Sequence, residues 1–125
     1  GGKSIMENFS DYRLGKRHDL IILYQMDIVR INNGKIEVRN SSCALIRSFG
    51  NGNALSVDFN ESQTLIAVAL SSGKIELSKN SGALIRTFGE GNAISVRWYG
   101  KDIAVSTNNG KTEMRKESGA LIRSF

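Results

Sequence analysis

The chain has 125 residues, of which 40% are hydrophobic, and its 17 basic and 12 acidic side chains give a net charge of +5. This length suits one domain, and this hydrophobic fraction is typical of a folded protein rather than a disordered one. The longest apolar runs are strand-sized, well short of the ~20 residues that a membrane-spanning helix needs. The single cysteine excludes an internal disulfide framework.

The predicted elements begin with a short strand within residues 3–10. Its apolar positions match those of residues 45–50, forty positions later, so we predict an extra copy of the strand that ends each repeat. Residues 19–50 form the first repeat, and its first two strands are predicted at 20–24 and 28–31. The Asn33-Gly34 pair between strands predicts a type I′ hairpin turn, because both central residues of that turn need positive φ.

Residues 53–89 and 92–125 form the second and third repeats. Their strands alternate apolar and polar side chains, except that the second strand of each is nearly all apolar, as expected of a strand buried on both faces. Asn109-Gly110 predicts another type I′ turn. The strands are predicted at 54–59, 64–70, 74–79 and 83–88 in the second repeat, and at 93–99, 102–107, 111–116 and 121–125 in the third.

Two short motifs mark the repeat. Gly-Lys-x-Glu occurs three times at offsets of 39 and 37 residues, and each copy is followed by Ala-Leu-Ile-Arg. A repeat of this length is one supersecondary unit that needs neighbours to bury its faces. If the third and fourth strands of each repeat form a simple hairpin, the motif Glu and Arg face each other, a structural pairing that stabilises the sheet by ~0.2–1 kcal/mol. The predicted pairs are Glu37 with Arg47, Glu76 with Arg86 and Glu113 with Arg123.

This strand pattern resembles the blades of the WD-repeat β-propeller family. The resemblance rests on residues 56–59, the apolar strand at 65–69, Ser72-Gly73-Lys74-Ile75 and the closing segment at 82–88. The signature Trp-Asp and Gly-His dipeptides of that family are missing. The resemblance implies an all-β propeller of three four-stranded blades plus the extra N-terminal strand. The alternative is a β-trefoil, which also has three repeats of four strands.

Closed propellers have four to eight blades, so three blades leave two apolar faces open. We therefore expect a homo-oligomer, most simply a dimer that forms a six-bladed ring, or else a fragment of a longer chain. Nothing in the sequence predicts a catalytic residue, a cofactor or a metal site. His18 has no second ligand nearby, and Cys43 has no identifiable activating partner. We expect a protein that is not an enzyme.

Binding is expected on the loop rims of the ring. The connections between repeats are predicted to share one rim, and the Asn-containing hairpins are predicted to lie on the other. The expected partner is a protein or peptide; the alternatives are a glycan bound at several equivalent loops, or weak nucleic-acid binding through the basic ends of the chain. We expect no membrane association and a cytoplasmic location. The candidate residues are Asn51, Asn53, Glu90 and Asn92 in the connections, Asn33 and Asn109 in the hairpins, and Tyr99 and Lys101.

Overall fold

The computed structural model describes residues 26–125, which form eleven β-strands in three antiparallel sheets. The strands predicted within 3–10 and at 20–24 lie outside the described residues. Sheet 1 contains β1 (Ile28–Asn32), β2 (Lys35–Arg39) and β3 (Leu45–Phe49). Sheet 2 contains β4 (Ala54–Phe59), β5 (Leu65–Leu70), β6 (Ile75–Lys79) and β7 (Leu84–Phe88). Sheet 3 contains β8 (Ala93–Tyr99), β9 (Asp102–Thr107), β10 (Thr112–Arg115) and β11 (Leu121–Ser124).

Each sheet is a meander in which strands that are consecutive in the sequence are paired. The sheets stack face to face, and sheet 2 lies between the other two, so its strand β5 is apolar on both faces. In β5, residues 66–70 are all buried, which explains the continuous apolar run there. The described strands of each repeat form one sheet, and the hydrophobic core lies between neighbouring sheets.

Two hydrophobic clusters hold the stack together, and they use equivalent positions. Between sheets 1 and 2, Ile36 and Val38 of β2 pack against Ile66 and Val68 of β5. Between sheets 2 and 3, the corresponding β6 residues Ile75 and Leu77 pack against Ile103 and Val105 of β9. All eight side chains are at most 2% exposed, and burying such a side chain contributes about 1.5–3 kcal/mol. The repeated Leu, Ile and Val positions are thus the contacts between sheets.

The predicted Glu–Arg pairs are wrong. Glu76 lies opposite Thr87, and Arg86 lies opposite Leu77. A β-bulge inserts one extra residue into the last strand of each sheet, which shifts the register by one position. Because side chains alternate between faces, this shift separates all three predicted pairs. The observed neighbours are Ser48 for Glu37, Val38 for Arg47, Ser124 for Glu113 and Met114 for Arg123.

One of the two predicted hairpin turns is confirmed. Asn33 and Gly34 have φ values of 52° and 76°, as a type I′ turn requires. The prediction for Asn109-Gly110 is wrong, because only Gly110 has positive φ there, at 83°. The Gly110 N–H donates to the Thr107 carbonyl at 3.2 Å, so the turn is one residue longer and ends on a left-handed glycine.

The difference between the 39- and 37-residue offsets lies in one turn. The β4–β5 connection spans residues 60–64, whereas the β8–β9 connection has only Gly100 and Lys101. In the longer turn, Asn60 Oδ1 accepts hydrogen bonds from the N–H groups of Thr64 and Leu65, both at 3.0 Å. The shorter turn instead uses Gly100 at a φ of 62°. Both turns lead into the same strand pairing.

Candidate interaction rims

The connections between sheets and the central hairpins lie at the same rim, which we call the glycine rim (residues 32–35, 50–53, 71–74, 89–92 and 108–111). The Ala54 N–H donates to the Gly34 carbonyl at 2.9 Å, and Ala93 donates to Gly73 at the same distance. The prediction that Asn33 and Asn109 lie on the opposite rim is therefore wrong. In an antiparallel meander, the turn after the second strand and the exit from the fourth strand are at the same end.

The glycine rim is tightly packed at its backbone. A Cβ on Gly34 would stand 2.1 Å from the Gly52 carbonyl oxygen, and a Cβ on Gly73 would stand 2.0 Å from that of Gly91. These glycines are needed because the next sheet approaches so closely, in addition to their turn geometry. The Asn33-Gly34 motif by itself indicates only the hairpin turn. The recurrence of the glycine at one position of every repeat was the signal for this second role.

The candidate rim residues differ in how much they are exposed. Asn51 and Glu90 occupy equivalent positions and are exposed, as are Asn33 and Asn109. Asn53 and Asn92 are half-buried. The carbonyls of Asn53 and Asn92 accept hydrogen bonds from the N–H groups of Ser71 and Asn108, at 2.8 and 2.9 Å. The rim therefore presents polar side chains from a backbone that is fixed by hydrogen bonds both within and between repeats.

The other two candidates lie at the opposite rim, which we call the turn rim (residues 60–64, 80–83, 99–101 and 116–120). Tyr99 is 68% exposed, and Lys101 is also exposed. A cleft of about 530 Å³ opens beside Lys101 where the turns of sheets 2 and 3 meet. The other polar residues that line this cleft were not predicted from the sequence, because the cleft is formed by turns that are far apart in the chain. That lining comprises Asn60, Glu61, Ser62 and Glu117.

Trp98 joins sheets 2 and 3 beneath this cleft. Its backbone N–H donates to Asp58 Oδ2 at 2.7 Å, and its indole Nε1–H donates to the Asp58 carbonyl at 3.1 Å. The ring packs against the cluster between the two sheets. Trp98 therefore packs between two neighbouring repeats. Asp58, which was not predicted to have a role, supplies both acceptors.

Two equivalent ion pairs replace the predicted ones. Glu37 Oε1 lies 3.0 Å from Arg39 Nε, and Glu113 Oε1 lies 3.0 Å from Arg115 Nε. Both arginines also donate from Nη1 at 2.8 Å to a carbonyl in the following turn, that of Cys43 or Gly119. In each pair the two residues are two positions apart on one strand, so they share a face of the sheet.

The hydrogen bond from Arg39 and a second one from Asn32 hold the pKa of Glu37 below its usual value. Asn32 Nδ2 donates to Glu37 Oε2 at 3.1 Å, and Arg30 Nε is 3.9 Å from Oε1. A carboxylate so surrounded by donors stays ionised at neutral pH, which suits a structural role better than proton transfer.

Within residues 26–125, no group of three or more Cys, His, Asp or Glu side chains is placed to hold a metal ion. The same residues include no helix long and apolar enough to span a membrane.

No family model matches the sequence, and neither does any curated protein. Solved structures do match. The WD40 domain of Pan2 from Neurospora crassa superposes with a TM-score of 0.65 at 11% identity, covering 81% of this chain and 35% of that one. The WD40 repeats of RRP9 give 0.69 at 9% identity, covering 79% and 34%. BamB from Moraxella catarrhalis gives 0.66 at 13%, covering 79% and 32%.

The chain has the β-propeller fold. Sheets 1, 2 and 3 are WD-repeat-like blades, and the trefoil alternative is wrong. The chain spans about a third of the length of the matched structures. At these identities the likeness establishes the fold alone, and the three sheets correspond to part of a ring.

Proposed function

We propose that the protein is a non-catalytic interaction module that binds a protein or peptide partner over the glycine rim, and that copies of it associate. The observation that carries the proposal is the fixed backbone of this rim. Hydrogen bonds from Ala54 to Gly34 and from Ala93 to Gly73 tie each connection to the hairpin beside it. A preorganised surface loses little conformational entropy on binding.

The polar side chains on this rim support the proposal. Asn51 and Glu90 are exposed at equivalent positions of two connections, and Asn33 and Asn109 are exposed in two hairpins. Asn109 Oδ1 already accepts hydrogen bonds from the Thr107 hydroxyl and the Lys111 N–H, so Asn109 offers a partner chiefly its Nδ2 donors. Amide groups both donate and accept hydrogen bonds, so they can pair with the backbone of an extended peptide. Glu90 breaks the repetition of Asn, which favours one asymmetric partner over several identical sites.

Peptide selection on the immobilised protein tests the proposal. We expect selected peptides to bind the wild type, and to bind a triple variant Asn33→Ala, Asn51→Ala and Asn109→Ala at least tenfold more weakly, since each lost hydrogen bond contributes about 0.5–1.5 kcal/mol. The matched control replaces Glu61 and Ser81 by Ala on the turn rim, and it should bind normally.

Two results would contradict the proposal. Peptides that bind the triple variant as well as the wild type would move the site away from the glycine rim. A glycan array that retains one sugar class, with no peptide selected, would favour the carbohydrate alternative instead. Circular dichroism and the unfolding midpoint of each variant check that the substitutions leave the fold intact.

A further inference from the structure

The two internal sheet-to-sheet interfaces repeat one pair of contacts. A Phe near the end of the last strand lies against a turn residue of the next sheet: Phe49 against Gly82, and Phe88 against Gly119. Two residues before each Phe, an Arg donates from Nη1 to a carbonyl of the same turn. Arg47 donates to the Asn80 carbonyl at 2.8 Å, and Arg86 donates to that of Glu117.

Sheet 3 carries the same pair of residues on its open face. Phe125 is 69% exposed and Arg123 is exposed, whereas their counterparts in sheets 1 and 2 are half-buried. The residues around them line a depression of about 390 Å³, which includes Tyr99, Thr112 and Met114. The outer face of sheet 3 thus carries a Phe and an Arg of the kind that join sheet 1 to sheet 2 and sheet 2 to sheet 3.

Sheet 1 carries a matching surface on its own outer face, which no other sheet of residues 26–125 covers. In sheet 3, the Arg115 guanidinium is covered by Phe88, whose ring centroid is 5.9 Å from Cζ, and the Arg115 side chain is only 7% exposed. Arg39 makes the same bonds to Glu37 and to the Cys43 carbonyl, yet its side chain is 28% exposed.

We propose that a second copy of this chain joins the two faces, with Phe125 and Arg123 of one copy seated on Arg39 and Cys43 of the other. Two such joints, related by a two-fold axis, close three blades and three blades into one ring. The inference rests on the proposed association of copies and adds which surfaces meet.

The proposed joint between copies differs in two ways from the sheet-to-sheet interfaces within one chain, and both make it weaker. Arg30 and Asn32 occupy the positions of the buried Val68 and Leu70, so the open face of sheet 1 is more polar. In addition, Cys43 carries a Cβ where Gly82 and Gly119 have none. A Cβ at those glycines would stand 3.0 and 2.9 Å from the Phe ring, so Phe125 must sit slightly farther out. The dimer therefore dissociates on dilution.

An engineered crosslink tests the joint directly. At the internal interfaces, a Cβ at Gly82 would lie 3.3 Å from Phe49 Cβ, and one at Gly119 would lie 3.0 Å from Phe88 Cβ. A slightly wider spacing between Cβ atoms at the joint would fall in the range of about 3.5–4.5 Å that disulfides require. We expect Phe125→Cys to form a disulfide with Cys43 of the partner and to migrate as a covalent dimer without reductant. The control is Leu121→Cys on the same strand. Its counterparts Leu45 and Leu84 stay 51% and 55% exposed beside the next sheet, so it should not crosslink.

Sedimentation across a range of concentrations gives the second test. We expect the wild type to dimerise, Phe125→Ala to raise the dissociation constant on the order of tenfold, and Cys43→Gly to lower it. Leu121→Ala should leave it unchanged. A wild type that stays monomeric, equal crosslinking of both Cys variants, or chains longer than two copies would overturn the proposal. Peptide binding by Phe125→Ala, measured at concentrations below its dimer dissociation constant, reports on the glycine rim separately, so failure of the joint and failure of the proposed function are distinguishable.

Discussion

The ring of Phe88 lies against Gly119 so closely that a Cβ added to the glycine would stand 2.9 Å from Phe88 Cγ. Real Cβ atoms almost never approach another atom this closely, so a side chain at 119 requires Phe88 or the sheet that carries it to shift. Gly119 also has a φ of 93°. The close contact with Phe88 and the positive φ thus both require glycine at position 119. Their separate contributions to the free energy of unfolding can be measured by mutation.

Gly119→Ala should destabilise the protein by about 1–3 kcal/mol more than Gly91→Ala. Both substitutions put Ala at nearly the same positive φ, 93° and 92°, and pay a similar conformational cost. Only Gly119 has a neighbour within 4 Å of the added Cβ, so only it suffers overpacking. Urea unfolding of the two variants measures the difference. Equal losses would mean that Phe88 moves aside freely.

Arg115→Met should destabilise the protein by about 3–5 kcal/mol, because it leaves the 7%-exposed Glu113 without its ionic partner. Adding Glu113→Gln should recover part of this loss, since no uncompensated charge then remains. Arg39→Met, at the more exposed equivalent pair, should cost less. Chemical denaturation of the single and double variants gives the coupling energy. A double variant less stable than Arg115→Met would contradict this account.

Asp58→Ala should destabilise the protein by about 1–3 kcal/mol and shift the emission of Trp98 to longer wavelength. The substitution removes the carboxylate that accepts the Trp98 N–H, and a buried donor left without a partner is costly. Because Trp98 is the only tryptophan, its fluorescence reports on this interface alone. Asp58→Asn keeps an acceptor oxygen and should change both readouts less. Unchanged emission in the Ala variant would argue against the contact.

The stability of the protein should fall as the pH drops below about 4.5, in part through Glu37. Its pKa in the folded state is lowered from the model-compound value of 4.5. The folded state therefore binds fewer protons than the unfolded state, and the stabilisation present above that value is lost as the pH falls through the folded pKa. Glu37→Gln should flatten this part of the profile. Urea midpoints from pH 7 to pH 3 provide the measurement.

The strands and their order were predictable because the second strand is continuously apolar in the second repeat and largely apolar in the third, whereas most other strands alternate. Strands β4, β8 and β9 begin and end where the sequence analysis placed them. Register was not predictable to one residue. The bulge in β7, where Ile85 is the extra residue opposite Leu77 and Ser78, leaves no mark in the sequence. It alone turns Arg86 away from Glu76 and toward a carbonyl of the next sheet.

The candidate sites were harder to predict than the strands. The Asn residues were found because they recur, but their common rim follows from contacts such as the hydrogen bond from Ala54 to Gly34, two residues that are twenty positions apart in the chain. The turn-rim cleft combines Glu61 with Glu117, whose proximity depends on how two sheets stack. Only the three-dimensional arrangement brings such residues together.

The short β8–β9 turn indicates that the turn rim tolerates insertions. Two connections of different length, residues 60–64 and residues 100–101, support the same strand pairing, so the ladder does not depend on what lies between them. A foreign epitope inserted after Gly100 would extend into solvent without passing the close glycine contacts at the far end. The same insertion beside Gly73 would meet the Gly91 backbone at once. Loop grafting should therefore succeed on the turn rim and fail on the glycine rim.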